Sequence, residues 1–169
     1  MPEPVTRLVT IRDWRDADWP QVYQIFREVV DVGETYAYDP NWSEEQARAV
    51  WVEPAPAHTV VAVDGDRILG TAKVGPNRPG RGSHVATASF MVASDARGRG
   101  VGRALGQHVL DLARADGYAA MQFNAVVESN TAAVHLWQEL GFVIIGTVPE
   151  AFEHRSLGRV GLHIMHRWL

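Results

Sequence analysis

Apolar residues recur along this chain with two periods, and the switches between them predict an order of helices and strands. Residues 8–12 read as a short strand. Over 18–32, Val22, Ile25, Phe26 and Val29 recur at helical spacing, with Asp13 and Asp16 offering caps and Gly33 the stop. Ser43-Glu44-Glu45-Gln46 predicts a second helix, Ser43 capping and Gln46 answering from the third position. It runs to about residue 53, where Pro54 and Pro56 end it. Residues 58–63 and 68–74 read as strands joined by Asp64-Gly65-Asp66-Arg67, a hairpin signal, and 76–82 as a loop. A strand over 85–93 passes through a glycine-rich turn into a helix over 101–116. Val101, Leu105, Val109 and Leu112 form one stripe on that helix, and Gly117 closes it. Residues 119–127 are a strand and 130–140 a helix stopped by Gly141; 142–148 and 160–168 are the last strands. With hairpins early and two helical crossovers late, this order describes one α/β domain over 1–169, a sandwich of about four helices around a mixed sheet.

The turn is Arg97-Gly98-Arg99-Gly100-Val101-Gly102. Free N–H groups and the dipole at the start of the following helix favour an anion such as a phosphate there. Gly98, Gly100 and Gly102 permit close backbone approach and positive φ, while Arg97 and Arg99 add charge. Composition narrows what such a turn serves. A chain of 169 residues buries roughly 70% of its unfolded surface. The absence of cysteine excludes disulfides, thiolate metal sites and a cysteine nucleophile. The 20 acidic against 16 basic residues argue against a general nucleic-acid binder. Apolar runs fall short of a membrane span, and Met1-Pro2-Glu3-Pro4 lacks the basic-then-apolar order of a secretory signal. A cytoplasmic protein with no membrane and no nucleic-acid partner is the expectation. Charge is uneven: residues 1–58 net −6 and residues 59–169 net +2. A basic half suits an anionic ligand; the acidic half suits either a cationic substrate or solvated helix faces. Of seven histidines, His154, His163 and His166 lie near the C-terminus, but 163 and 166 point to opposite faces of a strand, so no metal is expected.

The turn in this context resembles the GNAT family, the acetyl-CoA-dependent N-acetyltransferases. The family pattern of Arg or Gln, two residues, Gly, one residue, then Gly or Ala matches Arg97, Gly100 and Gly102. Asn130-Thr131-Ala132-Ala133-Val134-His135-Leu136-Trp137, followed by Leu140-Gly141-Phe142, resembles the family's later segment. The likeness is tight over 85–148 and only architectural over 1–58. Phe123-Asn124-Ala125-Val126-Val127-Glu128-Ser129-Asn130, with Trp137 and Ile145-Gly146-Thr147-Val148-Pro149, is further similar to the branch that acetylates proline analogues such as azetidine-2-carboxylate. The phosphinothricin acetyltransferase branch is a comparable relative. The resemblance implies a mostly antiparallel sheet with splayed central strands and acetyl-CoA as acyl donor. It also implies a small-molecule amine as acceptor (an amino acid, an analogue or an antimetabolite) and a homodimer.

Site residues follow from the same likeness. The amides of Arg97, Gly98, Arg99, Gly100, Val101, Gly102 and Arg103 hold the pyrophosphate in such a site. Backbone at Met91 and Val92 pairs with the pantetheine, and amides near Val92 are candidate oxyanion donors. Asn130, Ala133 and Trp137 contact the cofactor arm, with helix capping as a second role for Asn130. Many family members carry a tyrosine, the acid for the departing sulfur, where this chain has Trp137. An indole N–H donates a hydrogen bond but does not give up its proton. A thiol pKa near ~8.5 puts the cost of thiolate departure at roughly 2 kcal/mol, so water suffices and packing is the other role for Trp137. The base is open among Glu34, Glu128, His84 and a water chain. Asn124, polar in an apolar strand, satisfies a buried hydrogen bond or contacts substrate, by the proline-analogue likeness a carboxylate. Residues 33–42 roof the acceptor site in the family, which makes Glu34, Tyr36 and Tyr38 candidate substrate contacts; the alternating tyrosines face one side, for packing or for binding. Acetylation of a protein N-terminus or lysine, and a non-catalytic acyl-CoA-binding module, are the alternatives.

Overall fold

The apolar runs at 58–76 and 85–92 become the centre of a seven-stranded sheet in the computed structural model, which describes residues 9–169. The strands are β1 (Thr10–Asp13), β2 (His58–Asp64), β3 (Arg67–Pro76), β4 (Val85–Val92), β5 (Ala120–Val127), β6 (Val143–His154) and β7 (Gly158–Trp168). The main helices are α1 (Trp19–Val32), α2 (Glu44–Trp51), α3 (Val101–Ala115) and α4 (Thr131–Glu139). Spatial order is β1-β2-β3-β4-β5-β7-β6, antiparallel except for the parallel β4–β5 pair. This is the α/β architecture around a mixed sheet that the order of elements describes, and its mostly antiparallel pairing is what the resemblance implies. Leu8, in the expected first strand, lies outside the described residues.

Parallel neighbours need a crossover, and α3 supplies it. β4 and β5 pair only at Val85↔Ala120 and Ala86↔Met121; past that point they diverge while each keeps its outer partner. Consecutive residues of β3 show which helices cover which face. A Cβ on Gly70 would lie 3.0 Å from Val101 and 3.1 Å from Leu105, so α3 sits on that face. Thr71 faces the other way, where its Oγ1 accepts from Trp51 Nε1 of α2 at 3.0 Å and donates to the Val60 carbonyl at 2.9 Å. Phe26 of α1 packs edge-on to Trp51, which places α1 there too. α4 lies beside α3, because a Cβ on Gly106 would come within 2.8 Å of Leu140 and 3.1 Å of Trp137.

Several boundaries differ from expectation. Neither Asp13 nor Asp16 caps α1. Asp18 precedes it instead, accepting from Arg12 at 2.7 and 2.9 Å and from the Arg15 N–H at 2.7 Å, while Asp16 pairs with Arg48 at 2.8 Å. Ser43 and Gln46 do form the reciprocal cap, but α2 ends at Trp51, two residues early. On α3 the stripe drifts with the 3.6 period, so Ala113 is buried and Leu112 is half-buried. β6 extends to His154 and β7 starts at Gly158, forming a long hairpin where a break after residue 148 was expected. Pro149 is tolerated because β6 is the sheet edge and its register shifts between Val148 and Phe152. Glu150 takes a φ of 51° in that bulge. Among the described residues no helix is long and apolar enough to cross a membrane.

Candidate active site

The divergence of β4 and β5 opens a cleft of about 920 Å³. Thr87–Val92 and Phe123–Val127 wall it, the glycine turn and the first turn of α3 close one end, and Glu34–Tyr38 line it from the loop after α1.

The glycine turn has the expected backbone at two of its three glycines; Gly102 lies inside α3 and keeps helical rather than positive φ. Gly98 and Gly100 adopt φ of 74° and 78°, and a Cβ at either would meet nothing within 4 Å, so conformation rather than crowding calls for glycine. Ala104 N–H donates to the Gly100 carbonyl at 3.0 Å, which leaves the N–H groups of residues 101–103 without an intrahelical acceptor. Arg97 lines the cleft with no ion-pair partner among the described residues. Arg103 lines it too and is paired to Glu139 of α4. Arg99 is not in the lining; its guanidinium lies 3.8 Å from Asp64 at the end of β2.

Along β4, main-chain groups alternate between β3 and the cleft. Ala93 N–H donates to the Leu69 carbonyl at 2.8 Å, so odd residues serve β3 while Val92, Phe90 and Ala88 turn their main chain to the splayed side. Tyr36 exploits this. Its hydroxyl donates to the Phe90 carbonyl at 2.7 Å and accepts from the Phe90 N–H at 2.8 Å. Burial pushes the Tyr36 phenol well above its ordinary value, against the opposing pull of the Phe90 hydrogen bond, and it stays protonated. Tyr38 is also raised, by burial first, and its ring stacks on Tyr36 at 5.4 Å and on Phe26 at 5.5 Å.

Met91, Val92, Ala133 and Trp137 all line the cleft. Trp137 is 7% exposed and packs with Phe90 and Phe123 at centroid distances of 4.7 and 5.0 Å, consistent with the packing role weighed for it. Asn130 caps α4, its Oδ1 accepting from the Ala133 N–H at 3.4 Å, and also lines the cleft. Beside it, Ser129 Oγ is buried with no hydrogen-bond partner among the described residues.

Of the candidate bases, Glu34 alone lines the cleft, and its carboxylate has no partner among the described residues. Glu128 is outside: it accepts from the Gly161 N–H at 2.7 Å, bridging to β7. His84 is exposed in the loop before β4 and outside the lining. Asn124 lines the cleft but is exposed, contrary to the buried hydrogen bond considered for it. β5 loses register with β7 between Phe123 and Val126, and Asn124 there donates to Asn77 Oδ1 at 2.6 Å and accepts from Gln122 at 2.9 Å.

His154 lines the cleft too, which no local pattern in the chain indicates. The β6–β7 hairpin brings it in with Phe152 and Leu162, and the Arg155 N–H bonds the Gly33 carbonyl at 3.1 Å, setting His154 beside the loop that carries Glu34. His154 Nδ1 accepts from the N–H groups of Ser156 and Leu157, both at 3.2 Å, so the neutral ring carries its proton on Nε2. Only the long hairpin reveals this. Among the described residues no group of three or more metal-ligating side chains comes together.

A splayed parallel pair, an amide-lined turn after the first of its strands and a crossover helix define an α/β fold whose cleft suits an extended, anionic ligand. Residues 8–142 match the acetyltransferase (GNAT) family, and the chain belongs to that family. It is 33% identical over 150 residues to the L-methionine sulfoximine/L-methionine sulfone acetyltransferase of Pseudomonas aeruginosa, covering 83% of this chain and 84% of that protein. It is 30% identical over 137 residues to the N-acetyltransferase aca1 of Schizosaccharomyces pombe; that match covers 72% of this chain and 66% of the relative's length. A GCN5-related N-acetyltransferase from Kribbella flavida superposes with a TM-score of 0.92 at 60% identity, over 95% of this chain and 98% of that one.

Proposed function

We propose that this enzyme transfers the acetyl group of acetyl-CoA to the amine of a small molecule, an amino acid or a close analogue. The observation that carries this is one cleft joining an anion-receptive turn, a strand edge splayed from its neighbour and a carboxylate, Glu34, with no partner among the described residues. The lining fits an extended, amide-bearing donor with a diphosphate: open space over Gly98 and Gly100, spare N–H groups at 101–103, and the orphaned Ser129 hydroxyl. The methionine sulfoximine and sulfone relative supports a small acceptor.

Acetyl-CoA would supply an activated thioester carbonyl. Amides of residues 98–103 and the Arg97 guanidinium bind and orient the diphosphate, with the α3 dipole favouring its charge. Val92 offers its main-chain groups to the arm, and its N–H is the donor for the carbonyl oxygen because Tyr36 holds that of Phe90. Glu34 binds the incoming ammonium and takes one proton, leaving a neutral nitrogen to bond the carbonyl carbon as the carbon–sulfur bond breaks. The second proton leaves the nitrogen as the amide forms and passes through water to the thiolate, so the products are an amide and a thiol, with the first proton left on Glu34 and released to solvent. Asn124 keeps one amide hydrogen for a substrate carboxylate. Glu128 and the Arg99 side chain receive no part.

A homodimer is proposed with this activity. Val143, Ile145, Val148, Leu157 and Trp168, each between 45% and 73% exposed, are spread along β6 and its hairpin with β7, and β6 is the sheet edge among the described residues.

The test is thiol release from acetyl-CoA with methionine sulfoximine, methionine sulfone, phosphinothricin, a proline analogue and a short peptide as acceptors. Release with the amino-acid analogues and none with the peptide is expected. Release with the peptide alone contradicts the small acceptor, and tight acetyl-CoA binding without release across the panel contradicts the proposed reaction.

A further inference from the structure

Tyr36 occupies both main-chain groups through which β4 would pair with a neighbour at Phe90, 54 residues away in the chain. The ring is held rather than loosely placed, since Tyr38 stacks on it at 5.4 Å and is itself sandwiched by Phe26 at 5.5 Å and tilted against Trp42 at 5.4 Å. The cleft has a direction: it is widest toward the glycine turn, where β4 and β5 have diverged, and narrows to where Ala86 pairs with Met121. An extended ligand entering from the turn and pairing with β4 meets Val92 first and Phe90 next. At Phe90 the pairing positions are taken.

We propose that Tyr36 is the stop that ends the acyl chain, admitting acetyl and excluding longer acyl groups. This rests on the acyl-CoA reading above. The phenol stands where the third and later carbons of a longer chain would run, toward Ala88 and the closed end of the splay. Room exists there once the ring is gone, because the next cleft-facing residue of β4 is the small Ala88, lining the same cleft. Chain length is thus selected by a side chain on the acceptor-side loop, stapled across the cleft to the donor-side strand. The hydroxyl fixes the ring's position and the ring supplies the bulk. Tyr36 is a specificity-determining residue, its hydroxyl engaged by both main-chain groups of Phe90.

The experiment titrates CoA, acetyl-CoA, propionyl-CoA and butyryl-CoA calorimetrically into wild type, Tyr36→Leu and Tyr36→Ala, without acceptor. Thermal melts check that each variant folds. Wild type is expected to bind butyryl-CoA about tenfold or more weaker than acetyl-CoA, the scale of discrimination that a filled apolar site gives for added methylenes. Both variants should bring the two within about threefold, with affinity for unacylated CoA held within about threefold of wild type. Tyr36→Leu keeps apolar bulk against Tyr38 but does not reach Phe90, so it carries the test if Tyr36→Ala does not fold. An unchanged acetyl-to-butyryl ratio in a folded variant overturns the proposal, as does a wild type that binds both acyl chains equally. Failure of wild type to bind any of the four ligands is a different result: it sinks the acyl-CoA reading itself.

Discussion

Gly100→Glu separates the proposed phosphate cradle from the fold that carries it. The new side chain has room, since nothing lies within 4 Å of a Cβ there. Its backbone does not: a φ of 78° costs a non-glycine residue about 1–2 kcal/mol. For a domain of this size that lowers Tm by roughly 2–8 °C. Charge is the larger effect on binding. A carboxylate about 6 Å from a diphosphate carrying about two negative charges, at an effective dielectric of about 40, is repelled by about 3 kcal/mol. That corresponds to roughly a hundredfold loss of affinity. Gly100→Ala is the control, because it carries the same backbone strain without charge. Isothermal titration with CoA and thermal unfolding of both variants give the two numbers independently. Similar melting temperatures with affinities differing by more than about tenfold are expected. A Gly100→Glu protein that binds CoA within about threefold of wild type refutes the position given to the phosphates.

Other consequences concern the acceptor and the frame. Glu34→Gln should lower kcat/KM for the amine by about 10²-fold or more while leaving the acetyl-CoA Kd within about twofold, measured by thiol release and calorimetry. Trp137→Ala should cost about 3–5 kcal/mol in urea unfolding, because the ring fills the space between Phe90, Phe123 and Gly106. Asp18→Asn should cost about 2 kcal/mol at pH 7, as it breaks a paired, nearly buried carboxylate. The Arg12 hydrogen bonds, followed by the Arg15 N–H, hold Asp18 below the ordinary aspartate value of 3.8. Its stabilisation is therefore present above that pH and fades as pH falls through the lower folded-state value, so the gap between wild type and Asp18→Asn in urea melts should close only below about pH 4.

The glycine-turn side of the cleft was legible in the sequence because its geometry is local. A glycine turn between a strand and a helix depends on neighbours in the chain, and Gly98, Gly100 and Asn130 adopt the turn and cap geometry that their spacing predicts. The side formed by the α1–α2 loop depends on residues far apart. Nothing near Tyr36 announces that its hydroxyl will bond Phe90, because that contact exists only once the α1–α2 loop folds across β4. His154 was hidden by Pro149, which reads as a strand end and becomes a bulge on an edge strand, where no ladder bond is lost. The buried hydrogen bond, one of the two roles open for Asn124, fails for a related reason: alternation along β5 holds only until the register slips at Phe123. Arg99 looks equivalent to Arg97 in the chain, but the positive-φ glycines on either side redirect it toward Asp64.

A crystal structure of the enzyme with acetyl-CoA bound tests the central claim most directly. The diphosphate oxygens should lie within hydrogen-bonding distance of the N–H groups of residues 98–103, with the thioester between β4 and β5 beside Val92 and its methyl facing Tyr36. A diphosphate bound elsewhere, with the glycine turn making no contact to the ligand, contradicts the account.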